Sequence, residues 1–200
     1  AVSYGFGPHG SGKIDDGVKV EEGGDMQFVP DERVSHGDII DGGNWTVECV
    51  YTPGHTSNHV CYQLKEERVL FTGDHVMGWS TSIVSPPDGD MEAYMNSLEL
   101  LLKRDDKAYW PTHGPAITEP KEHVTAFIAH RREREEQILK CVDEGVHIIS
   151  EMVPKMYQGT PEFMYPAAAR SVLAAVEYMI KRGVLVSDQD NLMEARLNKN

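Results

Sequence analysis

Three short segments carry side chains suited to metal chemistry: Thr52-Pro53-Gly54-His55-Thr56, Thr72-Gly73-Asp74-His75 and Pro111-Thr112-His113-Gly114-Pro115. Each sets a histidine or aspartate beside glycine or proline, where a backbone turns sharply. Two imidazoles and one carboxylate form a borderline-hard donor set that suits Zn²⁺, Fe²⁺ or Mn²⁺. A lone loop histidine is most often a surface or hydrogen-bonded group. Three in matching contexts point to a metal site, with His55, Asp74 and His113 facing one cleft. His59 has two readings, a group near the metal or substrate and a polar residue that opens a strand. His75 reads first as a packed residue. The Ser/Pro-rich stretch Trp79–Asp88 reads as cleft wall or as plain connector. Ser82 and Ser85 are not read as nucleophiles, because no base is placed beside them.

The elements that must position these groups follow from periodicity. Trp45, Val47, Cys49 and Tyr51 alternate on one face, which predicts a strand over 45–51. His59–Leu64, Val69–Thr72 and Lys107–Trp110 predict further strands, so each chemical segment leaves the end of a strand. Residues 1–44 are glycine- and aspartate-rich, and only short strands fit there, at Gln27–Val29 and Asp38–Ile40. Between the second and third segments, Met91, Tyr94, Met95, Leu98, Leu101 and Leu102 recur at spacings of three and four. That stripe predicts a core-facing helix over Asp88–Lys103, capped by Asp88 or Asp90.

The character changes after Pro120. Helices are predicted over Lys121–Val142, His147–Tyr157 and Pro166–Lys181, followed by a hairpin of Val184–Val186 and Leu192–Leu197. The pairs Arg131–Glu135 and Arg132–Glu136 are spaced to bridge on a solvated helix face. Three helices and a hairpin is the order of a winged helix-turn-helix. The division expected is therefore 1–120 and 121–200. Pro166–Lys181 occupies the recognition-helix position, yet carries few cations, Arg170 and Lys181 with Arg182 just beyond. Its alanines suggest close packing or dimerisation. The competing reading is nucleic-acid contact through Lys181, Arg182 and Arg196.

The chain has 200 residues and a net charge of −13. Residues 1–120 hold 20 acidic against 8 basic side chains, which opposes long-range attraction of polyanions. No run of about 18 apolar residues is present, which argues against a transmembrane helix. Cys49, Cys61 and Cys141 are scattered, which points to a reducing, cytoplasmic setting with no disulfide framework.

In order and context, TPGHT, TGDH and PTHGP resemble the later motifs of the metallo-β-lactamase superfamily. The resemblance extends over about residues 28–200 and is best to the branch that includes beta-lactamase-like protein 2, whose members carry a C-terminal winged-helix domain. It implies an α+β chain: the C-terminal part of an αββα sandwich over 1–120, then a winged-helix-like domain over 121–200. It implies a dinuclear zinc hydrolase, with iron or manganese as alternatives. His55 would bind the first metal, His113 the second, and Asp74 would bridge them.

The family's H-x-H-x-D-H motif does not occur in the sequence; His9 and His36 lack its spacing. Its absence, with the opening Ala1, predicts that the N-terminal half of the sandwich lies outside this chain. Metal binding by the chain alone would then be weak and hydrolysis undetectable, and exposed sheet surface would favour self-association. The activity implied is attack of activated hydroxide on an ester, thioester or similar bond of a small molecule. Two other readings are a single-strand endoribonuclease, as in the branch it resembles, and a non-catalytic winged-helix interaction module.

Overall fold

The computed structural model describes residues 2–7 and 27–200. It divides into two compact units, residues 1–83 with 87–127 and residues 84–86 with 128–200. His9 lies outside the described residues.

The first unit is built on a five-stranded sheet in spatial order β3 (Ile39–Asp41), β4 (Thr46–Tyr51), β5 (Val60–Leu64), β6 (Val69–Gly73) and β7 (Ala108–Pro111). β1 (Tyr4–Gly5) and β2 (Glu32–Arg33) pair separately, in parallel. The strand expected at Gln27–Val29 is turn and coil; the pairing falls instead on Glu32–Arg33. β3 to β6 form an antiparallel meander, joined by turns such as Lys65–Arg68. β7 returns parallel to β6, which needs a long crossover. The helix α1 (Met91–Leu102) supplies it. Asp90, the second of the two candidate caps, accepts from the Ala93 N–H at 2.9 Å.

The period-two reading of 45–51 holds for the strand and fails for its burial. Trp45 is exposed, while neighbouring Cys49 and Val50, on opposite faces, are both fully buried. Val50, Cys61, Leu70 and Tyr109 form a core with Tyr94, Leu98 and Leu101 of the α1 stripe among its buried members. Arg104 joins Asp106 at 2.9 Å and Glu48 at 3.3 Å, and Gln63 donates to the same Asp106. On the opposite sheet face, the Phe71 and Trp110 rings meet edge to face and remain partly exposed.

α2 (Pro120–Asp143) is a single 24-residue helix. The second unit packs α3 (Ile149–Met156), α4 (Tyr165–Lys181) and a hairpin of β8 (Leu185–Ser187) and β9 (Leu197–Lys199) around one core. That core includes Ile138, Met152, Val172, Val176, Met179, Leu185 and Leu197. The second hairpin strand begins where it was expected to end. Leu192 and Met193 pack against the core instead of pairing, and the Arg196 N–H closes the loop on Asp188 Oδ1 at 2.8 Å. Of the two solvated charge pairs expected on α2, Arg131–Glu135 is revised, while Arg132 and Glu136 are both exposed. Arg131 is buried, and Glu135 pairs with Arg182, whose guanidinium lies over the Tyr178 ring. Arg170 donates to Ser85 Oγ and the Pro86 carbonyl. Of the cations considered for phosphate contact, Arg182 therefore already has protein partners. Ala168, Ala169, Ala174 and Ala175 are buried, as close packing requires.

Candidate functional site

The loop after β4 is shaped by Gly54. Its φ is +132°, and a Cβ there would lie 2.3 Å from the backbone N and Cα of Tyr94. Only glycine allows the loop to approach the first turn of α1 this closely. The contact is fastened by Asp90 N–H to the Gly54 carbonyl at 3.0 Å and by Ser97 Oγ to the Pro53 carbonyl at 2.8 Å. His55 follows directly. Its Nδ1 lies 2.6 Å from the Ile83 carbonyl. A carbonyl only accepts, so Nδ1 carries a proton, and the neutral tautomer this selects has its lone pair on Nε2. This is the arrangement by which proteins orient a metal-binding imidazole.

β6 ends in an irregularity between Phe71 and Gly73, where its register against β7 shifts. Such bulges re-aim side chains at strand ends. The turn that follows is held by buried Thr72, whose Oγ1 donates to the Val76 carbonyl at 2.8 Å. Tyr94 and Ser82 hydroxyls donate to the His75 carbonyl at 3.0 Å and 2.8 Å. His75 itself is fully buried beside the Tyr94 ring, which matches its packed reading. Ser82 is occupied as a turn fastener rather than as a nucleophile.

Asp74 emerges from this turn with Oδ1 buried and without a hydrogen-bond partner. The same Oδ1 lies 3.5 Å from His113 Nε2, which leaves the end of β7. An unsatisfied buried carboxylate oxygen costs on the order of 1–3 kcal/mol or more, and it is relieved by a proton or a cation.

His59 lies behind these groups. Its Nδ1 is 2.9 Å from Thr52 Oγ1, which in turn is 3.1 Å from the Cys61 thiol. Its Nε2 lies 2.7 Å from where a Cβ on Gly73 would stand. Burial, with His55 nearby, pushes its pKa down to about 3, so the ring is neutral. Burial likewise pushes the Cys61 thiol up to about 12. His36 is elsewhere, accepting from the Tyr51 N–H.

The structure thus brings Asp74 and His113 together and sets His55 next to His59, with ring centroids 6.2 Å apart. No group of three or more histidine, cysteine or acidic side chains converges on one metal position among the described residues. In kind the donors fit a metal: an orphaned carboxylate oxygen, an adjacent imidazole and a pre-oriented imidazole. In number they fall short of a tetrahedral protein set.

Periodicity did not reveal how the wall is attached. Gly78 and Gly114 touch backbone to backbone: a Cβ on Gly114, at φ +93°, would lie 2.8 Å from Gly78 Cα. The Gly78 N–H donates to the His113 carbonyl at 2.8 Å. The His123 ring holds the Met77 carbonyl from α2 at 2.9 Å. These contacts deliver Trp79 to His113, where the rings stack at 6.1 Å and 11°. The glycine beside each aromatic ring was the available signal. The stretch from Trp79 is therefore more than a plain connector, since the Ile83 carbonyl holds His55 and the Trp79 ring stacks on His113.

Comparison with known proteins agrees with the fold. The profile of the Metallo-beta-lactamase superfamily matches residues 3–113, and that of the Beta-lactamase associated winged helix domain matches residues 149–193. A Beta-lactamase-like protein 2 homolog of Caenorhabditis elegans is 33% identical over 167 residues, covering 80% of this chain and 55% of the relative. An atrochrysone carboxyl ACP thioesterase of Cryptosporiopsis is 32% identical over 113 residues, covering 56% of this chain and 34% of the relative. A metallo-beta-lactamase family protein from Thermus thermophilus superposes with a TM-score of 0.74 at 18% identity, covering 88% of this chain and 57% of its own. The chain belongs to the metallo-β-lactamase superfamily and carries that superfamily's associated winged helix in its C-terminal region. It spans about half the length of the first curated relative. No described helix is long and apolar enough to cross a membrane.

Proposed function

We propose that this chain supplies metal-ligating and catalytic residues of a metal-dependent hydrolase that cleaves an ester or thioester bond. The observation that carries the reading is the buried, unpartnered Asp74 Oδ1 beside His113 Nε2 at the carboxyl ends of adjacent parallel strands. Relatives named as thioesterases support the substrate class. Asp74 with His113 would supply ligands at one metal position and His55 at another, zinc being the first candidate. The chemistry such a metal supplies is acidification of water and polarisation of a carbonyl.

The chain's own residues prepare that chemistry. Asp74 presents a buried carboxylate oxygen that accepts no hydrogen bond, with His113 Nε2 3.5 Å away. The Ile83 carbonyl fixes the His55 tautomer so that Nε2 is available. His59, kept neutral by burial, backs the Gly73–Asp74 turn without adding charge to it. Trp79 lies nearly parallel to the His113 ring, with centroids 6.1 Å apart.

The test is thiol release from S-acetyl-N-acetylcysteamine with zinc present, for the natural chain, Asp74→Asn and His113→Gln. Release that falls at least about a hundredfold in both variants supports the reading. Equal release from Asp74→Asn overturns it. No release from any of them, with zinc bound, favours the interaction-module reading.

A further inference from the structure

Trp79 is 71% exposed and Ile83 50% exposed, large apolar side chains displayed beside His113 and His55. Both stand on the segment that fastens the two histidines. Ile83 receives His55 through its carbonyl, and Trp79 stacks on His113. Neither exposure follows from a loose loop. The Gly78–Gly114 contact, the Gly78 N–H bond and the His123 bond to Met77 pin the backbone immediately before Trp79. Ser82, bonded to the His75 carbonyl, pins it just before Ile83. The segment is therefore held at both places where it displays an apolar side chain. Asp74 and His113, the polar pair beside it, are 28% and 48% exposed at their side chains, so the pair is reachable from solvent.

We infer that Trp79 and Ile83 form an apolar lip that binds the acyl portion of the substrate, and that a bulky, preferably aromatic, acyl group is favoured over acetyl. The inference rests on the hydrolase reading and names its substrate class. A flat indole already aligned with an imidazole offers an aromatic acyl group a preformed stacking surface, and such pairs gain from offset or edge contacts beyond area burial. A nucleobase could use the same ring. The charge argues otherwise, because residues 1–120 carry 20 acidic against 8 basic side chains and repel a polyanionic chain.

The experiment uses the full chain and two neutral thioesters, S-phenylacetyl- and S-acetyl-N-acetylcysteamine. Binding is read on the indole N–H signals in proton–nitrogen correlation spectra, with the Trp79 signal assigned by its loss in Trp79→Phe. The phenylacetyl thioester is expected to move the Trp79 signal and leave Trp45 and Trp110 in place, while the acetyl thioester moves none. The phenylacetyl-over-acetyl preference, in affinity and in turnover where turnover is seen, should fall about tenfold in Trp79→Ala. Ile83→Ser should lower it in the same direction.

A Trp79 signal that stays fixed, or a preference unchanged in both variants, overturns the lip. A shift caused by a single-stranded oligouridylate but not by the phenylacetyl thioester also overturns it. Cleavage of both thioesters with a fixed Trp79 signal removes the lip and leaves the hydrolase. A moving Trp79 signal without cleavage supports the lip as a binding surface and counts against the hydrolase.

Discussion

Replacing Gly54 with alanine tests whether the His55 loop depends on direct backbone contact with α1. The new methyl group would lie 2.3 Å from Tyr94 N and Cα, atoms of a helical first turn that cannot swing away. Forcing the separation costs about 1–3 kcal/mol, the usual scale for overpacking. Holding alanine at φ +132° adds about 1–3 kcal/mol of backbone strain. The expected loss is about 2–6 kcal/mol, a large part of the ~5–15 kcal/mol that stabilises a typical domain.

Gly37→Ala is the control. Its φ is +86°, and no atom lies within 4 Å of the added carbon, so only strain of about 1–2 kcal/mol is expected. Urea unfolding followed by tryptophan fluorescence reads the right unit, because Trp45, Trp79 and Trp110 all belong to the first one. If Gly54→Ala falls within about 0.5 kcal/mol of Gly37→Ala, the close-contact argument is refuted.

Three further outcomes are expected. Arg104→Met should destabilise the first unit by about 3 kcal/mol, because it leaves the buried Asp106 carboxylate without its cation; a loss below about 1 kcal/mol in urea melts would contradict this. Cys61, raised to about 12 by burial, should resist iodoacetamide at pH 8 until urea unfolds the chain, and rapid native-state labelling confirmed by peptide mass would refute it. His59 is lowered from an ordinary 6.5 to about 3, so the unfolded chain binds its proton more tightly than the folded one. Its stabilising share is complete above about pH 6.5 and is lost as pH falls toward 3, so His59→Gln should flatten the acid limb of a stability–pH curve. An unchanged acid limb would count against a buried neutral ring.

Most of the strand order and the placement of the three chemical segments were legible in the sequence, because alternation and the glycine and proline stops act locally. The α1 stripe was legible for the same reason: Met91, Tyr94, Met95, Leu98 and Leu101 are all buried. What local pattern could not show was pairing and approach. Glu32–Arg33 became a strand only because Tyr4–Gly5 lies beside it, and Arg131 and Glu135 left their expected surface roles for tertiary contacts. The two glycines that bring Trp79 onto His113 lie 36 positions apart, so no window along the chain joins them. The hairpin boundary moved because Leu192 and Met193 gain more from the core than from a ladder. Donor identity was read from the motifs, but convergence of donors is a three-dimensional property, and it extends here to the Asp74–His113 pair.

The central claim is that Asp74 is a metal-binding carboxylate rather than a charge awaiting a protein partner. Zinc affinity measured by chelator competition at pH 7, on the natural chain and on Asp74→Asn, tests it most directly. The account predicts measurable binding by the natural chain and a loss of at least about tenfold in the variant. Equal affinity in the two proteins, or no zinc bound by either, would contradict it.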